Sequence, residues 1–252
     1  MQHRRLACEL LGATAFAATL SSVARNCSGL QNMQEDEGRA ALRLALEFVL
    51  QGGGEVASGG DLDRFKRSVV LRDGSSANLR PIRRDDEDRM LALFCRFSPR
   101  TVYLRFHQVL KEMSREDVRR FCTVDYDSSF ALVATIDSGG GEEIIAVGRY
   151  ARLPGQDTAE IAFVVEDPYQ GRGVGTQLLH RLALIARERG INVFEAEVLA
   201  HNQDMLRMLK DSGYHMVQEQ GAGVCRAVLD IAPAIGVEES PWRGKKWPPL
   251  PS

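Results

Sequence analysis

The stretch YQGRGVGTQLL, residues 169–179, places three glycines within five positions and leads directly into an apolar segment with helical spacing. A glycine-rich turn at the start of a helix presents backbone N–H groups, and the helix dipole adds partial positive charge there. Phosphate is the usual ligand of such a turn. The stretch therefore predicts a phosphate-binding turn between a strand and a helix, and the flanking residues decide which kind it is.

Two common phosphate motifs fit poorly. A Walker A loop needs a lysine after its last glycine, and none follows here. A dinucleotide-binding G-x-G-x-x-G motif would use Gly171 and Gly173, but Thr176 occupies the third glycine position. Glu195 lies at the spacing expected for the acidic residue of that motif. However, the turn follows a predicted hairpin, whereas the dinucleotide-binding motif opens a βαβ unit. A further alternative is that the glycines only make a tight turn.

The surrounding residues alternate between strand-like and helix-like segments. Asp73-Gly74 is a turn signal between two β-type runs, and the glycines of 138–142 join two longer strands in a hairpin. Ser114 followed by Asp117 is typical of a helix N-terminus. The predicted order is β, β, α, α, β, β, β, α, β, α, β, β. This order predicts a mixed α/β fold built on one central sheet.

Charge and cysteine content exclude several classes of function. A net charge of −2 argues against a nucleic-acid-binding protein. No apolar run reaches the ~18 residues of a membrane span, so we expect no membrane partner. The histidines share no metal-ligand spacing, and the cysteines lack C-x-x-C spacing, so we expect neither a metal site nor a disulfide framework. The five cysteines are Cys8, Cys27, Cys95, Cys122 and Cys225.

The two ends of the chain differ in composition from its middle. We predict an N-terminal extension over residues 1–60 with one short helix, a domain over 66–232, and a proline-rich tail over 233–252 that contains Trp242 and Trp247. The first 26 residues have the outline of a secretory signal, interrupted by Glu9. The alternatives are a poorly ordered extension and a start at Met33.

Three residues of the glycine-rich turn, Gln170, Gly173 and Gly175, form a Q-x-x-G-x-G pattern. This pattern resembles the acyl-CoA pyrophosphate loop of the GCN5-related N-acetyltransferase (GNAT) family. The preceding strand AEIAFVV, the following helix and the later HNQDMLRMLKDSGY also resemble that family, over roughly residues 68–231. The likeness implies the GNAT fold, a mostly antiparallel central sheet flanked by helices and splayed at the acyl-CoA site.

A second segment narrows the resemblance to one group of proteins within the family. SP-x-x-x-YLRF, which starts at Ser98, is similar to an element in the acetyltransferase domain of bacterial protein lysine acetyltransferases. By that resemblance Tyr103, Arg105 and Phe106 line the acceptor side. The alternative, on helical spacing, is that Tyr103 and Phe106 are core residues.

The resemblance also implies acetyl-CoA as the co-substrate and assigns the residues that hold it. The turn would offer N–H groups and one arginine to the pyrophosphate, and the preceding strand would pair with the pantetheine arm. An asparagine at the start of the last helix would touch that arm; its alternative role is a helix N-cap. The implied cofactor residues are Phe163, Val164, Val165, Gln170, Gly171, Arg172, Gly173, Val174, Gly175, Thr176 and Asn202.

Glu160 is the predicted catalytic base, because an amine must lose a proton before it attacks a thioester and because Glu160 matches the family's base glutamate. The alternative is a solvated glutamate at a strand end. We expect the backbone N–H of Val164 to steady the oxyanion. The family's tyrosine acid position is Leu209 here, which leaves the general acid open, and Tyr214 is expected to pack on the sheet. Nothing marks Cys122 or Cys225 as an activated nucleophile.

The sequence therefore predicts a cytoplasmic bacterial N-acetyltransferase that moves acetyl from acetyl-CoA to an amine. The expected acceptor is a lysine of a protein such as an acyl-CoA synthetase. Two alternatives stay open: an acetyltransferase of a small amine or amino acid, and an acetyl-CoA-sensing regulatory module with little turnover.

Overall fold

The computed structural model describes residues 62–232, except 109, 111 and 222. The predicted extension of residues 1–60 and the predicted tail of residues 233–252, with Trp242 and Trp247, lie outside the described residues. Within the described ranges, no helix is both long enough and apolar enough to cross a bilayer.

Eight strands form one mixed sheet. They are β1 (Arg67–Val70), β2 (Ser76–Pro81), β3 (Ser129–Asp137), β4 (Glu142–Arg152), β5 (Thr158–Val165), β6 (Val193–Leu199), β7 (His215–Gln220) and β8 (Val224–Asp230). Their spatial order is β1-β2-β3-β4-β5-β6-β8-β7. Neighbouring strands are antiparallel except β5 and β6, which run parallel. The predicted fold, with one mostly antiparallel sheet, is confirmed.

The helices are α1 (Glu87–Arg96), α2 (Pro99–Phe106), α3 (Arg115–Cys122), α4 (Val174–Glu188) and α5 (Gln203–Lys210). The sequence predicted two helices between β2 and β3, and this was wrong, because the described residues form three α-helices there. Helix α1 ends where Phe97 adopts extended backbone angles. Ser98 then starts α2, since its hydroxyl accepts a hydrogen bond from the N–H of Thr101 at 3.2 Å and Pro99 occupies the first helical position.

Helix α4 packs against one face of the sheet, and α1 to α3 cover the other. A Cβ atom built on Gly148 of β4 would lie 2.8 Å from the ring of Phe163 and 3.2 Å from Cβ of Leu178 in α4. Val147 and Arg149, the neighbours of Gly148, instead line a cavity with α1, α2 and α3. Side chains of alternate residues in a strand point to opposite faces of the sheet. Gly148 therefore faces α4, and its two neighbours face α1 to α3.

A buried ion network ties β2 to the start of α1 and to β4. Arg80 is 4% exposed, and its guanidinium donates to both carboxylate oxygens of Asp86, each at 2.7 Å. It also donates to Glu142 at 2.8 and 2.7 Å. The hydrogen bonds from Arg80 lower the pKa of Glu142 from 4.5 to about 2. The fold tolerates burial of the Arg80 and Asp86 charges because they are paired and hydrogen-bonded to each other.

Replacing Gly148 with alanine is expected to lower the free energy of unfolding by roughly 1–3 kcal/mol, because the added methyl group meets an aromatic ring and a helix Cβ. Urea denaturation of both proteins measures this. Gly140→Ala is the matched control, since a Cβ there meets nothing within 4 Å. Equal losses in the two variants would contradict the packing argument.

Stability is expected to fall on acidification as Glu142 takes up a proton. Its folded pKa lies below its ordinary value, so the stabilisation is present above about pH 4.5 and is lost as the pH falls towards about 2. Urea midpoints measured along this range check the prediction. In Glu142→Gln the acid-dependent loss should be smaller than in the unmodified chain; an identical pH dependence would rule out a contribution from Glu142.

Candidate functional site

The sheet opens between β5 and β6. The two strands pair at three positions, the last of which joins Glu160 to Glu195. Beyond this point β5 continues to pair with β4, while β6 pairs with β8. Residues 162–165 of β5 are only half-buried. Among the described strands, none pairs with this edge of β5, which leaves a gap where an extended ligand can pair with its backbone.

The backbone of β5 presents alternate residues to this gap. The N–H of Glu166 donates to the carbonyl of Ile145 in β4 at 2.9 Å, and the register between the two strands is unbroken. Because alternate residues of an antiparallel pair direct their N–H groups at the partner strand, Val164 points its N–H at β4. The expectation that Val164 supplies the oxyanion N–H is therefore wrong. Phe163 and Val165 direct their N–H groups at the gap.

The glycine-rich turn lies at the start of α4, as predicted. Gly171 and Gly173 adopt φ values of +73° and +89°, and Gly173 is the N-cap residue. These values belong to the left-handed region that favours glycine. Val174, Gly175 and Thr176 form the buried first turn of the helix, whose N–H groups have no helical carbonyl to bind. The turn has the geometry of an anion site.

Helix α5 lies close to this turn. A Cβ on Gly175 would stand 2.7 Å from the sulfur of Met208, so the glycine permits the close approach of the two helices. Asn202 is the N-cap of α5, with its side-chain oxygen accepting from the N–H of Met205 at 3.3 Å. The N-cap role is confirmed, and a contact with a pantetheine arm stays a prediction.

Arg172 forms an ion pair with a carboxylate. Its guanidinium lies 2.6 Å from Asp73 in the β1–β2 turn, and its carbonyl accepts from the N–H of Arg72 at 2.9 Å. The Arg172 guanidinium therefore lies near the glycine-rich turn, as predicted, but the carboxylate of Asp73 partly neutralises its charge. The sequence did not reveal this contact, because 99 positions separate the two residues.

The segment between β5 and the glycine-rich turn is anchored to the start of α2. Gln170 donates to the carbonyl of Val165 and to the hydroxyl of Thr101, each at 3.0 Å. Asp167 accepts from the N–H and hydroxyl of Ser98 at 3.0 and 2.6 Å. The side chain of Gln170 is thus engaged by protein atoms, and its part in the Q-x-x-G-x-G pattern includes fixing this segment.

A second anchor connects the same segment to α1. Arg96 donates to both oxygens of the buried Glu166 at 2.9 and 3.1 Å, and to the carbonyl of Ile144 at 2.7 Å. Sequence reasoning missed Arg96, Asp167 and Thr101. The sequence signal nearest to these residues was the Ser98-Pro99 pair, which begins the SP-x-x-x-YLRF element.

Glu160 lies on the face of β5 that α2 covers. It shares this face with Ala162 and Val164, since side chains alternate along a strand. Arg105 of α2 is close enough for its charge to interact with Glu160. Burial lowers the pKa of Arg105 to about 10, and the carboxylate opposes that shift. Glu195, the residue opposite Glu160, is engaged by Arg226 at 2.7 Å.

The aromatic residues predicted on the acceptor side have two different environments. Tyr103 stacks on His201, with ring centroids 5.9 Å apart, which links α2 to the loop before α5. Phe106 contacts Phe94 and Phe121 edge-on, at 6.2 Å each. Phe106 therefore belongs to the packed layer above the sheet, whereas Tyr103 lies near the loop that carries Asn202.

The other positions considered for an acid or a nucleophile are buried, except Tyr214, which is half-buried. Leu209 is fully buried, and burial raises the pKa of Tyr214 to about 12, with its hydroxyl 3.5 Å from His180. This agrees with the packing role expected for Tyr214. Burial also raises the pKa of the Cys122 and Cys225 thiols, which disfavours the reactive thiolate.

Comparison with known proteins agrees with this geometry. Residues 93–214 match the model of the acetyltransferase (GNAT) family. The chain is 31% identical to Acetyltransferase PA5475 of Pseudomonas aeruginosa, over 54% of this chain and 73% of that protein. It is 35% identical to Acetyltransferase Pat of Mycolicibacterium smegmatis, over 69% of this chain, and spans about half (51%) of that relative's length.

A solved structure extends the comparison to the fold. The crystal structure of the GNAT domain of S. lividans PAT is 40% identical, with a TM-score of 0.61, and the match covers 66% of this chain and 97% of that domain. The chain belongs to the GNAT family of acetyltransferases, whose members use acetyl-CoA as co-substrate.

Replacing Asp73 with asparagine is expected to tighten binding of coenzyme A about two- to fivefold, because it removes a negative charge beside the phosphate turn. Asparagine can still accept the hydrogen bond that Asp73 receives from the N–H of Ser75 at 3.0 Å. Isothermal titration calorimetry at low ionic strength measures the change, which should shrink at high salt.

Asp137→Asn is the matched control for this experiment. Asp137 accepts an equivalent hydrogen bond, from the N–H of Gly139 at 3.0 Å, in the β3–β4 turn. Its replacement should leave coenzyme A affinity unchanged. The prediction fails if the two variants bind coenzyme A equally well.

Proposed function

We propose that this protein transfers acetyl from acetyl-CoA to a lysine side chain of another protein. The observation that carries the proposal is the gap between β5 and β6, with the glycine-rich turn beyond the end of β5 and Glu160 where strand pairing stops. These features lie in one continuous segment, from Glu160 to Thr176. That arrangement suits an extended ligand with a pyrophosphate at one end and a reactive thioester at the other.

The cofactor would lie along the free edge of β5. The N–H groups of the first turn of α4 would bind the pyrophosphate, and the backbone of Phe163 and Val165 would pair with the pantetheine arm. Their N–H groups are also the donors available to a carbonyl oxygen as it gains negative charge, which is the usual electrostatic contribution to acyl transfer. Asn202, at the N-cap of α5, would contact the arm from the β6 side of the gap.

Glu160 would act as the general base. A lysine ammonium has an ordinary pKa near 10.4 and is almost entirely protonated at neutral pH. Glu160 would accept its proton, directly or through a water. The amine nitrogen then bonds to the acetyl carbon, the carbon–sulfur bond breaks, and coenzyme A leaves as thiolate. With Leu209 buried and apolar, the proton released by the amine, or a water, would neutralise the thiolate.

Two observations support a protein acceptor. The SP-x-x-x-YLRF element, similar to that of bacterial protein lysine acetyltransferases, forms α2 and covers Glu160. The relatives that match the chain include proteins named Acetyltransferase Pat and PAT. An acyl-CoA synthetase is the proposed acceptor, and the cytoplasm, which holds acetyl-CoA, is the proposed location.

Glu160→Gln is expected to lower kcat by about 10²–10⁴-fold, the range attributed to general base catalysis. Acetyl-CoA binding should be retained, because the substituted residue lies outside the glycine-rich turn. The experiment mixes the full chain, acetyl-CoA and a purified bacterial acyl-CoA synthetase, and maps acetyl-lysine by mass spectrometry. Calorimetry with acetyl-CoA confirms that each variant still binds.

Glu195→Gln is the matched control, since Glu195 stands opposite Glu160 in the adjacent strand. It should keep most of the activity. Equal losses in both variants would remove Glu160 as the specific base. If no synthetase lysine is modified while small amines are acetylated, the acceptor is a metabolite; if neither is acetylated and acetyl-CoA still binds, the sensor alternative replaces the proposal.

A further inference from the structure

The part of the sheet formed by β6, β8 and β7 has one buried face and one exposed face. Phe194, Ala196 and Val198 of β6 are buried, as are Ala227 and Leu229 of β8. The residues that alternate with them are exposed or half-buried, and we call the surface that they form the open sheet face. It comprises the odd-numbered positions of 193–197 in β6 and of 215–219 in β7, and the even-numbered positions of 224–230 in β8.

Strand pairing connects the open sheet face directly to Glu160. Glu160 stands opposite Glu195 of β6, which in turn stands opposite Val228 of β8. Val228 stands opposite Val217 of β7. Side chains of residues that stand opposite each other in paired strands project to the same side of the sheet. These four residues therefore form one row, which ends roughly 14 Å from Glu160 because adjacent strands lie about 4.8 Å apart.

The open sheet face is negatively charged, although the whole chain is nearly balanced, with 32 Lys and Arg residues against 34 Asp and Glu. Its carboxylates are those of Glu195, Glu197, Glu219 and Asp230, and Arg226 is the one arginine or lysine among its members. The Arg226 guanidinium lies 2.7 Å from Glu195 and 3.8 Å from Glu219. Glu195 therefore takes most of that positive charge, and the other carboxylates leave the face negative.

Protection of the sheet edge explains only part of this charge. Charged side chains on an edge strand prevent it from pairing with another chain, and this accounts for Glu219 of β7. Glu197 and Asp230 lie in β6 and β8, which are interior strands of the sheet, so protection of an outer edge does not explain them. Val217, which is 50% exposed at the end of the row, adds an apolar contact for a partner.

We propose that the open sheet face is the surface on which the acceptor protein docks, and that it selects segments in which arginine or lysine residues flank the target lysine. The inference rests on the proposed function, because it takes Glu160 as the position of the reacting amine. A target lysine reaches Glu160 as an ammonium ion, so the acceptor is already cationic there. Further cations would complement the carboxylates of the face, and complementary charge speeds the encounter of two proteins and fixes their orientation.

The dimensions of the row indicate which neighbours of the target lysine contact the face. An extended segment advances about 3.3 Å per residue. A segment that crosses the strands from Glu160 would therefore place its third residue over β8 and its fourth residue over β7. Cations at these two positions would lie within reach of the carboxylates of Asp230 and Glu219.

Three peptides of equal length test this preference with the full chain. Each has one lysine at its centre, and the positions three and four residues away on both sides carry arginine, glutamine or glutamate. Mass spectrometry measures kcat/KM for acetylation, and isothermal titration calorimetry in the presence of coenzyme A measures binding without turnover. We expect the arginine peptide to exceed the glutamine peptide about five- to tenfold at low ionic strength, and the glutamate peptide to rank last. The advantage should shrink at high salt.

The double variant Glu219→Gln/Asp230→Asn should abolish most of this preference while still acetylating the glutamine peptide. Asparagine at position 230 can still accept the hydrogen bond from the N–H of Ala232. The matched control is Glu188→Gln/Asp211→Asn, which removes two exposed carboxylates from the ends of α4 and α5 and should keep the full preference. Thermal melting checks folding. If the double variant does not fold, Glu219→Gln alone takes its place, since that side chain is 69% exposed.

The proposal is overturned if the arginine peptide has no advantage in either measurement, or if its advantage survives the loss of the carboxylates. It is also overturned if light scattering shows a dimer that the double variant disperses, because a second copy would then cover the face. Lysine acetylation that depends on Glu160 but ignores the flanking charges overturns only the docking surface. Charge-dependent peptide binding without acetylation supports the docking surface and removes the lysine transfer.

Discussion

The pairing of β5 with β6 stops at Glu160 and Glu195, and the rest of the site depends on that stop. Among the strands that the structure describes, these two form the single parallel pair in an otherwise antiparallel sheet. A parallel connection requires a crossover, here made by α4, and this places the N-terminus of the helix beside the end of β5. Had the two strands stayed paired along their length, β5 would have no free backbone groups to offer a ligand.

The open edge of β5 is supported from the side of α1 and α2. Arg96 binds the buried Glu166, and Ser98 and Thr101 bind Asp167 and Gln170. The chain that links β5 to the glycine-rich turn is therefore fixed to the helices that cover Glu160. An acceptor bound under α2 and a cofactor bound at the turn would contact parts of one hydrogen-bonded unit. Side chains held by several partners lose little further freedom on binding, which favours precise placement of reacting groups.

Local patterns in the sequence predicted most of the elements but not all of their boundaries. The capping serine, Ser114, and the glycine turns were read correctly because their signals lie within a few residues. Helix α2 was not predicted as a separate helix, because only Phe97 and Ser98 stand between it and the end of α1, although Ser98-Pro99 is a strong N-terminal signal. The N–H direction of Val164 was wrong because the phase of hydrogen bonding along a strand depends on its register with β4, which the sequence does not contain.

By itself, the sequence determined the class of fold and the glycine-rich turn at the start of α4, and it singled out Glu160 as the proposed base, because each inference depends on residues that are near neighbours in the chain. Only the tertiary structure decided what surrounds them. The ion pairs of Asp73 with Arg172 and of Glu195 with Arg226 join residues far apart in sequence. Burial then sets how strongly those charges act, since the free energy of a charge depends on the water and partners around it.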